Sequence, residues 1–183
     1  MSPAVFFDPD ATGTTESSGT VEIGEHTAHI TDISVKRDVV VKGKYLSDIF
    51  TPIYRIASGN SSGLEIKDRG IFMFKKPSED NSELKDRKGG GNAGYKNLLD
   101  AIGKSIEELL ESDRTIYRLP EISKNDALNK PVVISVYQEE FTSKRDGNIY
   151  KVRKAKLLHG WGDGKELSAN TNTEDKNDEE LPF

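Results

Sequence analysis

Residues 131–158 constrain the fold more than any other stretch of the chain. PVVISVYQEEF (131–141) and IYKVRKAKLL (149–158) are rich in β-branched and aromatic residues, and TSKRDGN joins them. Asp146, Gly147 and Asn148 suit a tight turn, so the two runs predict an antiparallel hairpin. Two strands alone are marginal in water, so their partners must lie upstream.

Candidates are present there. HTAHITDISVKR (26–37) alternates through Ala28 and Ile30, then Ile33 and Val35, a strand with a bulge where the phase changes. Gly43 breaks VVVKGKYLSDIFTPIYRIAS, and 45–57 reads as a second strand carrying Tyr45, Phe50 and Tyr54. Pro52 has no N–H for the ladder and is expected at an edge or a bulge. NSSG (60–63) is a turn. RGIFMFKK (69–76) predicts a third strand with Phe72 and Phe74 on one face, Ile71 and Met73 on the other. The polar KPSEDNSELKDRKGGGNAG has no core-forming period and predicts a flexible loop. In YKNLLDAIGKSIEELLES, Leu98, Leu99, Ile102, Ile106, Leu109 and Leu110 recur at helical spacing and predict one helix. The order is strand, strand, strand, helix, strand, strand. It predicts a mainly-β chain, a five-stranded OB-fold β-barrel with one helix between strands 3 and 4. A flexible arm over 1–20, this domain over 21–162 and a disordered acidic tail over 163–183 complete the expected organisation.

Composition agrees with unpacked ends. Hydrophobic residues are 34% of the 183, against roughly 45–50% in a globular domain on a count that includes Gly. With no cysteine, disulfides and thiolate metal sites are excluded and a reducing, cytoplasmic setting is expected. No long apolar run and no basic leader are seen, so neither membrane insertion nor export is expected. The net charge of −5 conceals its distribution. Residues 1–35 carry six acids and no Lys or Arg, 36–156 carry 24 Lys and Arg against 18 acids, and 157–183 carry two Lys against seven acids. A basic middle between acidic ends keeps a nucleic-acid partner open where the overall charge would argue against one.

Catalytic patterns fail on spacing. His26 and His29, three apart on a strand, point to opposite faces, and His159 is the only other histidine, so surface histidines and no metal are expected. IGKS (102–105) lacks the glycine that a phosphate-binding loop needs five residues before its Gly-Lys; Leu98 stands there. GGGNAGYK (89–96) places Tyr95 between Gly94 and Lys96. No enzyme and no cofactor are expected.

Basic and aromatic residues interleave instead. Lys42, Lys44 and Tyr45; Tyr54 and Arg55; Arg69, Phe72, Phe74 and Lys75; Tyr150, Lys151, Arg153 and Lys156 fall on separate expected strands. Cations that follow phosphates and rings on which bases stack are what single-strand binding needs. In a small barrel one face of each strand must also fill the core, so each ring is open to either use. The loop residues Lys85, Arg87, Lys88 and Lys96 could close over a bound strand or merely span a gap.

The chain ends in Asp178, Glu179, Glu180, Leu181, Pro182 and Phe183. Acids, an apolar anchor and a chain-terminal carboxylate together offer a partner a docking peptide. With this tip the chain resembles the single-stranded DNA-binding proteins of replication, an OB-fold core followed by an acidic tail with a terminal Phe. Leu181 stands where the bacterial pattern has Ile, and the long insertion before strand 4 looks more like the phage-encoded versions. The resemblance implies sequence-independent binding and protection of single-stranded DNA in replication, recombination and repair. It also implies recruitment of polymerase, primase-helicase or nuclease by the tail. The tail is further expected to compete with DNA for the basic middle. Oligomeric state is left open, a homodimer included. Two other readings stand beside this one: a protein-interaction adaptor with no nucleic-acid binding, and an RNA-binding OB domain.

Overall fold

The computed structural model describes residues 19–43, 45–75, 85–87, 92–111 and 114–164. In chain order the strands are β1 (Gly24–Val41), β2 (Tyr45–Ile56), β3 (Glu65–Lys67), β4 (Ile71–Phe74), β5 (Lys85–Arg87), β6 (Glu107–Glu111), β7 (Arg114–Arg118), β8 (Pro131–Thr142) and β9 (Ile149–Gly160). Two helices, α1 (Ala93–Ala101) and α2 (Lys124–Ala127), lie between them. The fold is mainly β, and its sheets are antiparallel.

The larger sheet runs β3-β2-β1-β8-β9, with β4 also paired to β2. The expected hairpin is its clearest unit: Val136 faces Ala155 and Phe141 faces Tyr150 across β8 and β9. Gly147 adopts φ +72 in the connecting turn, and the Asp146 carboxylate accepts the Asn148 N–H at 3.0 Å. The bulge in β1 falls between Ile30 and Asp32, so Ala28 and Ile30 before it and Ile33 after it all reach the core. Pro52 is interior rather than at an edge. It sits between the β2 residues that pair with β3 and those that pair with β4, where its carbonyl accepts Asp68 N–H at 2.8 Å and no ladder donor is needed.

The expected third strand, 69–76, corresponds to β4, and a further short strand, β3, precedes it. Gly70, at φ +109 and where a β-carbon would come within 3.2 Å of Ile49 Cγ2, turns the chain between β3 and β4. The larger sheet therefore has six strands, not five. Just before that turn, Asp68 makes a parallel bridge to Ala155, and Arg69 N–H donates to Ala155 O at 3.0 Å. The two ends of the sheet meet at this seam.

The helix is shorter than its periodicity predicts. At its end Gly103 takes φ +75, with Gly103 N–H on Asp100 O and Lys104 N–H on Leu99 O. That paired arrangement closes the last turn with a left-handed residue, so the helix cannot run on to 112. Glu107–Glu111 instead pair with β7 in a second sheet of order β5-β7-β6. Leu109 faces Ile116, whereas Leu110 is 82% exposed. Lys85–Arg87, expected in a loop, form an edge of this sheet. The unexpected α2 starts at Ser123, whose N–H and hydroxyl donate to the Asp126 carboxylate at 2.7 and 2.9 Å.

One core lies beneath the larger sheet. Tyr95, Leu98 and Leu99 of α1 are fully buried, Tyr95 stacking on Phe50 at 5.0 Å. Each of the two leucines contributes roughly 1.5–3 kcal/mol by leaving water. Asn97 ties the helix to β9 by donating to Leu158 O at 2.6 Å. Among the described residues no helix is long and apolar enough to cross a membrane. Residues 1–18 of the expected arm, Lys44, Lys88 and the tail beyond Gly164 lie outside the described residues.

Candidate nucleic-acid interface

Alternation along β4 buries Ile71 and Met73 and turns Phe72 and Phe74 to the opposite, outward face. Register with β2 sets Phe74 beside Ser47 and Phe72 beside Ile49. The rings of Phe72 and Phe74 stack at 5.9 Å and 12°, and Tyr45, 48% exposed, meets Phe74 edge-on at 6.0 Å. The structure thus brings Tyr45, Phe72 and Phe74 into one row of half-exposed rings.

Two clamps hold the end of this row. Lys75 N–H donates to Leu46 O at 2.9 Å, and the Asn92 side chain bonds both backbone polar groups of Phe74, accepting its N–H at 2.7 Å and donating to its carbonyl at 3.2 Å. The second clamp is ionic. Asp48, without solvent exposure, accepts from Arg37 Nη1 at 2.6 Å, Lys75 Nζ at 2.8 Å and Asp38 N–H at 3.0 Å. Burial pushes the Asp48 carboxyl up, but the bonds from Lys75, Asp38 and Arg37 outweigh it and hold the group below the usual carboxylate range.

A second ring pair lies on the outward face of the β8–β9 hairpin. Phe141 and Tyr150 stack at 5.5 Å and 24°, and Tyr150 OH donates to the Asp146 carboxylate at 2.6 Å. That bond, with those from Asn148 N–H and Ser143, lowers Asp146 to about 2. Cross-strand register puts Tyr137 beside Lys154 and Ser135 beside Lys156 on the same face as Phe141. Tyr137 is half-buried, and burial and then the charge of Glu139 push its hydroxyl pKa up, with Arg69 pulling the other way. Arg69, at the seam, is exposed.

The remaining expected site residues are dispersed. Tyr54 is a correction: it has no exposure, because from Asp48 onward the even-numbered residues of β2 face the core. Its hydroxyl donates to Asp68 Oδ2 at 2.7 Å, and the same carboxylate accepts Gly70 N–H at 2.8 Å and Leu157 N–H at 3.2 Å. Tyr54 therefore pins the seam and cannot stack on a base. Burial raises both the Tyr54 hydroxyl and the Asp68 carboxyl from their ordinary values. Lys75 is likewise corrected, since its ammonium is engaged by Asp48 and by Asp38 at 2.9 Å with the side chain only 18% exposed. Arg55 pairs with Glu65 at 2.7 Å and Lys151 with Glu140 at 3.2 Å, both on the surface. Arg153 donates to the carbonyls of Thr20 and Val21, fastening the N-terminal segment to β9. Lys42 is exposed in the β1–β2 turn at φ +51, and Lys156 is exposed on β9.

Of the expected surface histidines, His29 is buried at 8% exposure and meets the Trp161 ring edge-on at 5.7 Å. Among the described residues no three His, Asp or Glu side chains are grouped so as to hold a metal ion. Tyr137, Phe141, Asn92 and Asp48 are not among the site residues expected from the sequence. Phe141 and Tyr137 were within reach, because they alternate on the strand of the expected hairpin. Asn92 and Asp48 act across long sequence separations and carry no local signal. The six tail residues Asp178 to Phe183 lie outside the described residues. No family model matches the chain, and no curated protein matches it.

Proposed function

We propose that the protein binds single-stranded DNA without sequence preference, through the outward face of a sheet that is an OB-type barrel in its connections. The observation that carries the reading is the row Tyr45, Phe72 and Phe74, three rings turned away from the core and left half-exposed. Core filling does not account for them, since Ile71 and Met73 already do that for β4, and Phe50 and Tyr54 for β2. Stacking on such rings is worth ~1–3 kcal/mol per base and suits any base.

Three further features support it. The sheet order β3-β2-β1-β8-β9, its parallel seam at Asp68 and Ala155, and α1 between β4 and β8 follow OB connectivity. In that architecture ligands lie across strands 2–3 and the loops L12 and L45. Here those places are taken by the ring row with Lys42, and by the Phe141–Tyr150 pair. Lys156 and Lys36 on the larger sheet and Arg69 at its seam are exposed cations, placed to meet phosphates. Asp178–Phe183 then serve as a docking peptide for replication proteins and compete for the same face.

The test is an anisotropy titration of labelled oligothymidine by the full chain, with oligouridine and duplex DNA alongside, at two salt concentrations. The expected result is salt-sensitive binding of oligothymidine that exceeds duplex binding, and stronger binding when 165–183 are removed. Equal or better binding of oligouridine would move the assignment to RNA. Absence of binding to every nucleic acid at low salt would overturn it in favour of a protein-binding adaptor.

A further inference from the structure

We infer that Asn92 is a positioning residue for the ring row, fixing Phe74 beside Phe72 and Tyr45; the inference rests on reading that row as a base-stacking surface. Lys75 N–H reaches Leu46 O on β2, so along β4 the alternate residue, Phe74, directs its own N–H and carbonyl away from β2. Among the described residues no strand lies on that side of Phe74 to receive them. The Asn92 side chain takes both, Oδ1 from the N–H at 2.7 Å and Nδ2 to the carbonyl at 3.2 Å. A carboxamide offers a donor and an acceptor side by side, as an adjoining strand would.

Asn92 is diverted from its local task in doing so. It occupies the N-cap of α1, where an Asn side chain ordinarily accepts an N–H of the first turn, yet it makes no capping bond. Its residue is 4% exposed, so the amide is held against the strand rather than in water. Helix α1 is itself anchored by Tyr95, Leu98 and Leu99 in the core. The amide thereby transfers the position of a rigid element to the last residue of a four-residue strand. Without it, two backbone groups at Phe74 turn to water, the strand end frays and the ring leaves its contacts.

The test is a double-mutant cycle in the full chain, with N92A, F74A and the double variant titrated against labelled oligothymidine at several salt concentrations, below their unfolding temperatures. N92A is expected to bind about tenfold more weakly, the scale of one lost stacked base. Its salt dependence should match the parent's, because no phosphate contact is removed. Added to F74A, it should cost nothing further, since it acts through that ring. A general loss of structure would reproduce neither the unchanged salt slope nor the non-additivity. If N92A does not fold, Asn92→Asp serves: it keeps the acceptor for Phe74 N–H, replaces the donor with a repelling oxygen, and is expected to give the same pattern. Parent-like affinity of the Asn92 variant, or equal losses with and without Phe74, would overturn the inference while leaving the stacking surface intact. Failure of the parent chain to bind oligothymidine would instead remove the stacking surface, and this inference with it.

Discussion

Replacing Asp48 with Asn should destabilise the fold near neutral pH and do so less as the pH falls. The carboxylate is wholly buried, with Oδ2 on Arg37 and Oδ1 shared by Lys75 and the Asp38 N–H. An amide keeps one acceptor oxygen and turns its NH2 toward a donor, so at least one charged hydrogen bond is lost. Removing one partner of a buried pair costs ~3–5 kcal/mol. Two features reduce that here: the Arg37 side chain is 43% exposed and can turn to water, and Lys75 retains Asp38 at 2.9 Å. A loss of about 2 kcal/mol remains, which on a domain of this size lowers the unfolding temperature by roughly 4–8 °C.

The pH dependence gives the sharper check. Asp48 titrates below its ordinary value in the fold, so its contribution is complete above about pH 4 and disappears as the pH falls through the lowered value. Asn does not titrate, so the gap between parent and variant should narrow on acidification. Asp68, whose carboxyl is raised by burial, works the other way, contributing most below about pH 4 and losing its contribution as the pH rises through its folded value. It is common to both proteins and cancels in the difference. Thermal unfolding followed by circular dichroism at about pH 7 and about pH 3 measures both quantities. A gap that stays constant between the two, or widens toward acid, would refute the assignment of Asp48 as the charged anchor of this clamp.

Tyr54→Phe should cost about 1.5–3 kcal/mol in denaturant unfolding, by removing the donor to the buried Asp68, and leave oligothymidine affinity unchanged. Loss of affinity without loss of stability would return Tyr54 to the binding face. Gly103→Ala should cost about 1 kcal/mol in the same assay, since φ +75 strains any residue with a β-carbon even though the space around it is open. Under the proposed function, Lys42→Ala with Lys156→Ala should flatten the log–log salt dependence of oligothymidine binding by ~0.7 for each phosphate no longer neutralised, a slope read directly from anisotropy titrations. An unchanged slope would remove both lysines from the phosphate path.

Local chemistry made much of the fold legible. The Asp146-Gly147-Asn148 turn announced the β8–β9 hairpin, the phase change between Ile30 and Ile33 announced the bulge, and alternation separated Phe72 and Phe74 from Ile71 and Met73. The helix was legible in position but not in length. Leu98 and Leu99 lie on its buried face, whereas Ile106 to Leu110 fit a helical period by coincidence. Gly103, which ends the helix, looked like part of a failed phosphate-loop motif.

Which residues share a face within a strand can be read from residue order alone, because that relation is set by the backbone pleat and needs no partner. Which face of each strand meets the core depends instead on what packs against it. On β2 that choice sent Tyr54 inward to Asp68 and Tyr45 outward to Phe74, although both read alike as aromatic neighbours of basic residues. Tertiary structure also decided which cations remain exposed. Lys75 and Lys156 read alike, yet the fold brings Asp38 and Asp48 to Lys75 and leaves Lys156 exposed on β9. Charge pairing depends on distance in space, and residues 37 positions apart become neighbours only when the strands between them have paired.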